Sequence, residues 1–190
     1  MDITVPPGEC QGLHVEKFTV TGHDLKDLFY ALQGRRCDPG EYTKLYDASG
    51  PKSIIWMSDT TAERRDHLMP VRMMHVLEAK RVLINGLGLG MVLQAALSYE
   101  HVEHVDVVEI DERVIKLVGP HYTKDPRVRI IHNDAYEQTK SWPKNTRWDV
   151  GWSDIWPTGD PKNSPGMTRL NRSYGQRCDW HSCWAQELMR

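Results

Sequence analysis

The clearest alternation of hydrophobic and polar positions lies between residues 81 and 111. An apolar stretch, Val82–Asn85, runs into three alternating glycines, Gly86, Gly88 and Gly90. An apolar helical run follows (Leu89–Tyr99), and a second apolar stretch, Val105–Glu109, ends in an acid. Strand, glycine turn, helix and strand in that order make the front half of a nucleotide-binding βαβ unit. The pattern continues with a helix over Glu112–Val118, a strand over Val128–Ile131, a short helix near Ala135–Lys140 and a strand over Asp149–Trp152. Strands separated by helices predict a parallel sheet with right-handed crossovers.

Upstream the period changes. Leu13–Val20 alternates as a strand does. Asp24–Gln33 has the spacing of a short amphipathic helix closed by Gly34, and Tyr42–Tyr46 and Ser53–Met57 read as strands joined by a turn over Ala48–Pro51. Thr60 with Glu63 three residues on fits a capping box for a helix reaching Leu77, and Pro70 predicts a break or kink within it. Downstream, Thr158–Gly166 reads as a Pro/Gly-rich loop and Trp180–Met189 as a closing helix with Trp180 and Trp184 on one packed face. The chain therefore divides into an N-terminal strand and helix region (1–80), a Rossmann-like α/β core (81–157) and a C-terminal loop and helix (158–190). Four parallel strands are fewer than a complete doubly wound sheet, so the expected sheet is either truncated or completed by the N-terminal strands. An open edge strand would make a homodimer a natural assembly.

Length and charge narrow the picture. A chain of 190 residues suits one domain or a domain with a small appendage. A formal net charge of −2 offers no broad basic field, so nucleic acid is not indicated as a partner. No apolar run approaches the roughly 20 residues needed to span a bilayer, so no membrane partner is expected. The opening MDITVPPGEC lacks the basic and apolar regions of a signal peptide. Four scattered cysteines do not resemble a disulfide framework, and a cytoplasmic location is the expectation. Cys178 and Cys183 with His181 between them have poor zinc spacing and no second ligand pair, so no metal site is expected.

The glycine spacing selects among nucleotide cofactors. A dinucleotide fingerprint needs Gly-x-Gly-x-x-Gly; counted from Gly86 the third glycine falls on Met91, and from Gly88 on Leu93. Gly-x-Gly-x-Gly favours S-adenosylmethionine. Glu109 at the end of the second strand offers two oxygens to a ribose cis-diol, or is a solvated strand-end acid. Asp134, with the small Ala135 beside it, can accept from an adenine amino group, or only cap the next helix. Asp154 follows the fourth strand, at the strand ends where open α/β sheets bind ligands. There it can orient or deprotonate an amine nucleophile. Trp152 and Trp156 flank it and can wall a substrate or pack in the core.

Taken together, VLINGLGLGM, VDVVEIDERVIKL, DPRVRIIHNDA and RWDVGWSDIWP resemble class I S-adenosylmethionine-dependent methyltransferases, and within them the spermidine synthase branch. Compact proteins of this kind occur in phages, and the resemblance suggests such an origin. It implies a Rossmann-like fold and cofactor contacts from Asn85, Gly86, Gly88, Gly90, Glu109, Ile110, Asp134 and Ala135, with Asp154 as the catalytic aspartate. Asn85 stands where methyltransferases usually carry an acid, and Leu89 where the spermidine synthase loop carries an aspartate. The second acid of the branch's Asp-x-x-Asp-Pro is missing, with Asp160 as a displaced candidate. The Gln and Tyr that bind polyamine have no clear match around Ser58–His67, although Glu63 occupies a comparable segment. The expected activity is S-adenosylmethionine-dependent methyl transfer to an unidentified acceptor, with an amine as a candidate. The alternatives are aminopropyl transfer and a non-catalytic cofactor-binding or interaction protein.

Overall fold

In the computed structural model, which describes residues 3–22, 36–156 and 159–186, the apolar stretches form two sheets. Strands β1 (Gly8–Cys10), β2 (Leu13–Val20), β3 (Gly40–Asp47) and β4 (Ile54–Ser58) pair antiparallel in sequence order. Strands β5 (Arg81–Asn85), β6 (His104–Glu109), β7 (Val128–His132), β8 (Trp148–Ser153) and β9 (Cys178–Cys183) form a parallel sheet in the order β7-β6-β5-β8-β9. Residues Val82–Asn85, Val105–Glu109 and Val150–Ser153 are buried throughout, as central strands covered on both faces must be. The strand order reverses between β5 and β8, which puts the ligand crevice of such a sheet at their carboxyl ends.

The helices are α1 (Thr61–Asp66), α2 (Leu68–Val76), α3 (Met91–Leu97), α4 (Glu112–Leu117), α5 (Gly119–Tyr122), α6 (Ala135–Ser141) and α7 (Ser164–Tyr174). The break expected near Pro70 falls at His67, between α1 and α2. A continuous helix would press the Pro70 ring against the Asp66 carbonyl, so the chain restarts in time for Pro70 to sit in a first turn. Thr60 is the N-cap of α1 but makes no side-chain capping bond, and Glu63 instead accepts from the Ser58 N–H at 2.6 Å. The helix expected over Asp24–Gln33 lies outside the described residues.

The C-terminal expectations are corrected. The segment read as loop becomes a 3₁₀ turn (Pro161–Asn163) capped by Asp160, followed by α7. Pro165 is tolerated in the first turn, where its missing N–H has no partner to lose. Gly166 is needed because a Cβ there would lie 2.3 Å from the Tyr136 hydroxyl. Met167, Leu170 and Tyr174 form the buried face of α7. Cys178–Cys183, which takes in the first part of the helix expected over Trp180–Met189, is a strand, and it supplies the fifth parallel position. The sheet is therefore neither limited to four strands nor completed by the N-terminal ones. Trp180 stacks on Trp152 at 6.3 Å between ring centroids and does not share a helix face with Trp184.

One apolar core joins the two sheets: Ile3, Val5, Leu13, Val15 and Leu45 pack in the same cluster as Val82, Ile84, Met91, Val150 and Trp152. A second cluster, containing Leu83, Val108, Trp142, Trp148, Leu170 and Tyr174, covers the other face of the parallel sheet. Across the junction Arg113 on α4 reaches Asp111 at 2.7 Å and Asp47 of β3 at 3.0 Å. No helix among the described residues is long and apolar enough to cross a membrane.

Asp106 is the most buried charged group of the core strands. It accepts from Arg129 at 2.7 Å, from Trp148 Nε1 at 2.8 Å and lies 2.9 Å from His104 Nε2. Burial pushes its pKa up, but the bonds from Arg129, Trp148 and His104 outweigh it and hold the carboxyl below its ordinary value. Asp106→Ala strands the Trp148 indole N–H and should cost about 3 kcal/mol in urea unfolding. The charge-dependent part of that contribution is present above the aspartate's ordinary 3.8 and fades as the pH falls below it.

Candidate active site

The turn after β5 is built on left-handed backbone. Gly86, Gly88 and Gly90 have φ of 95°, 49° and 77°. At Gly86 a Cβ would lie 2.0 Å from the Asp154 carbonyl oxygen, so only glycine lets the turn reach the end of β8. Gly90 heads α3, and a Cβ there would lie 2.2 Å from the Tyr122 ring.

A cavity of about 420 Å³ opens beside this turn. Its floor is formed by Gly86, Gly88, Glu109, Asn133, Asp134 and Ala135; Leu45, Trp56 and Met57 of the antiparallel sheet wall one side, and Tyr136, Ile155 and Trp156 another. Ile110 also lines it and is exposed. Glu109 is buried, with Oε2 accepting from Leu87 N–H at 2.7 Å and Oε1 from Asp111 N–H at 2.9 Å. Burial pushes its carboxyl pKa up, against the lowering effect of those backbone bonds. Asp134 caps α6 through Oδ1 and the Tyr136 N–H at 2.7 Å, so the capping role and the place beside the cavity coexist. A carboxylate has lone pairs to spare after such bonds, and both acids can still accept from a ligand.

Asp154 lines the same cavity, and its partner is a residue that sequence reasoning missed. Asp154 Oδ2 lies 2.7 Å from His67 Nε2, and His67 Nδ1 lies 2.7 Å from the Glu63 carbonyl oxygen. A carbonyl can only accept, so Nδ1 donates to it, and an ionised Asp154 requires Nε2 to donate as well. The ring is an imidazolium in this arrangement. Burial opposes the charge, but the Asp154 bond and the Glu63 carbonyl outweigh it and raise the His67 pKa. Asp154 Oδ1 has no hydrogen-bond partner among the described residues. The signal for His67 was the Pro70-enforced break, which turns the chain at that position.

Four expected site residues lie elsewhere. Asn85 is wholly buried and does not line the cavity; Nδ2 donates to Ser153 Oγ at 2.8 Å. That hydroxyl pairs with His181 Nε2 at 3.0 Å, and His181 Nδ1 with Asn171 Oδ1 at 2.7 Å, a chain of bonds inside the core. Trp152 is core, because its position on a central strand points it between the sheets. Glu63 acts on the backbone of Ser58, outside the cavity lining. Gly90 packs α3 against Tyr122 and is not in the lining.

A sequence profile described as the spermine/spermidine synthase domain matches residues 63–157, half of the chain. A polyamine aminopropyltransferase of Prochlorococcus marinus (strain MIT 9313) is 28% identical over 167 residues, covering 78% of this chain and 57% of the relative. Spermidine synthase 2 of Arabidopsis thaliana is 25% identical over 177 residues, covering 88% and 50%. The chain thus spans about half the length of these curated relatives. A crystal structure of spermidine synthase with the transition state analogue AdoDATO superposes with a TM-score of 0.54 at 20% identity, covering 92% of this chain and 54% of that one, a likeness of fold. A phage origin finds no support in these relatives.

Buried His67 and half-buried His181 give stability opposite slopes with pH. His181 is pushed by burial from its ordinary 6.5 down to about 4, so stability is lost as the pH falls from 6.5 toward 4, by at most about 3 kcal/mol. His67 has a raised pKa, so its contribution is full below 6.5 and is lost as the pH rises through the folded value. Urea midpoints should peak near pH 6.5. His181→Gln should flatten the acid limb and His67→Gln the alkaline limb; unchanged limbs would refute these protonation states.

Proposed function

The chain belongs to the spermine/spermidine synthase family, and we propose on that premise that it transfers an aminopropyl group from decarboxylated S-adenosylmethionine to an amine. The observation that carries this reading is the charge of the cavity. Glu109, Asp111, Asp134 and Asp154 line it, Asp111 and Asp154 being paired with Arg113 and His67, and none of its described lining residues is basic. Such a cavity favours a cofactor with sulfonium and ammonium charges and a cationic acceptor, and offers no cation to a carboxylate. Methyl transfer, the first reading of the sequence, needs the carboxylated cofactor and is less favoured. Both reactions share the fold and the adenosine end of the ligand.

The residues present fit that ligand. The cavity volume lies within the range of small-molecule sites. On this reading Glu109 accepts from ribose hydroxyls, Asp134 from an adenine amino group, and Ile110 and Ala135 flank the ring; their common place in the cavity lining supports it. A bound sulfonium supplies an electrophilic carbon and a thioether leaving group. Asp154 accepts an N–H of the acceptor amine through Oδ1, which frees the lone pair and takes the proton released when nitrogen bonds to carbon. His67 holds Oδ2 and so fixes the carboxylate rotamer, and Trp156 and Tyr136 exclude water from the approach. Rate is gained chiefly from alignment of nitrogen, carbon and sulfur.

The test is to incubate the protein with decarboxylated S-adenosylmethionine or S-adenosylmethionine and a panel of diamines, following methylthioadenosine and S-adenosylhomocysteine. Methylthioadenosine formed only from the decarboxylated cofactor supports aminopropyl transfer. S-adenosylhomocysteine from the other incubation returns the assignment to methyl transfer, and neither product leaves a binding protein. Asp154→Asn should lower kcat by about 10²–10⁴-fold while cofactor affinity stays within about twofold, whereas a binding protein has no turnover to lose.

A further inference from the structure

The glycine turn already has an acceptor over it, and it comes from the antiparallel sheet. Met57 Sδ lies 3.0 Å from the Leu89 backbone nitrogen and receives its N–H. The sulfur also sits where a Gly88 Cβ would be, 2.2 Å from that position. Three other amides of the turn are engaged internally: Gly86 N–H with the Val108 carbonyl, Leu87 N–H with Glu109, and Gly90 N–H with the Leu87 carbonyl. Leu89 N–H is the one given to a thioether, a weak and uncharged acceptor.

Met57 reaches this place through an irregularity in β4. Leu45 pairs with Met57 and Tyr46 with Ile55, so Trp56 is an extra residue opposite the Leu45/Tyr46 step. In a regular strand consecutive side chains face opposite sides. Here both Trp56 and Met57 line the cavity, the re-aiming that a bulge produces.

We propose that Met57 is a specificity residue that makes the site refuse a carboxylated cofactor tail. The thioether occupies the space over Gly88 and takes an amide that a carboxylate seated there could use. The described lining has no basic side chain to compensate a carboxylate there. A short tail without a carboxylate leaves the Met57–Leu89 contact intact. This inference rests on the cofactor assignment proposed above, and its test separates the two.

The probes are methylthioadenosine and S-adenosylhomocysteine, thioethers with the same adenosine and different tails, titrated calorimetrically into the full chain. The wild-type protein should bind methylthioadenosine about tenfold more tightly. Met57→Ala should remove that preference by tightening S-adenosylhomocysteine, with methylthioadenosine changed by about twofold or less. Met57→Leu keeps the bulk without the sulfur and should retain part of the preference, and it covers the case in which the alanine variant does not fold. If the wild type binds methylthioadenosine and turns over the decarboxylated cofactor but both variants keep the full preference, the role of Met57 is overturned and the cofactor assignment stands. If the wild type prefers S-adenosylhomocysteine, or binds neither, both fall.

Discussion

The close approach of the Gly86 turn to the end of β8 is the constraint on which the rest of this architecture depends. With any side chain at residue 86 the Asp154 carbonyl would have to move, and with it the backbone that carries the Asp154 carboxylate. The same turn is anchored from its other side by Glu109, whose carboxylate catches the Leu87 and Asp111 amides and so fixes the ends of β5 and β6 together. Three loops from three parallel strands are thereby held at one spot, and the cavity is the space they enclose with the antiparallel sheet.

Electrostatics then differentiate acids that look equivalent along the chain. Asp111 is neutralised by Arg113, and Asp154 shares a buried ion pair with His67. Glu109 and Asp134 meet backbone amides alone in the hydrogen bonds of the described residues. Two lining carboxylates are thus paired with cations, Asp154 through Oδ2 alone, and two have no cationic partner in those bonds. His181, close by in the core, is kept neutral by burial and serves as a passive link between Ser153 and Asn171.

Much of the parallel core was legible because central strands are mostly apolar and glycines mark a turn that no other residue can make. The fourth strand and the acid beyond it could be read for the same reason. What could not be read depends on contacts between distant segments. Pro165 and Gly166 look like loop residues until the Tyr136 hydroxyl is seen to exclude a side chain at residue 166. β9 is largely polar, and its strand character comes from pairing with β8. Met57 carries no local signature, because a bulge brings it to the cavity, and the Pro70-enforced break marks the turn at His67 without naming Asp154 as its partner. Asn85 and Trp152 were placed in the site by proximity in sequence, yet the alternation of a buried strand turns them into the core.

The antiparallel sheet walls the cavity, yet it shares its apolar core with the parallel sheet through Ile3, Val5, Leu13, Val15 and Leu45. Swinging that wall open would bare these side chains to water, at roughly 25 cal/mol per Å². The wall is therefore not a hinged lid, and admission of a ligand falls to side chains such as Trp56 and Met57. Rotamer changes run on picosecond to nanosecond scales where exposed, against microseconds to milliseconds for domain closure. A site gated in this way would exchange a bound ligand without waiting for a slow global step.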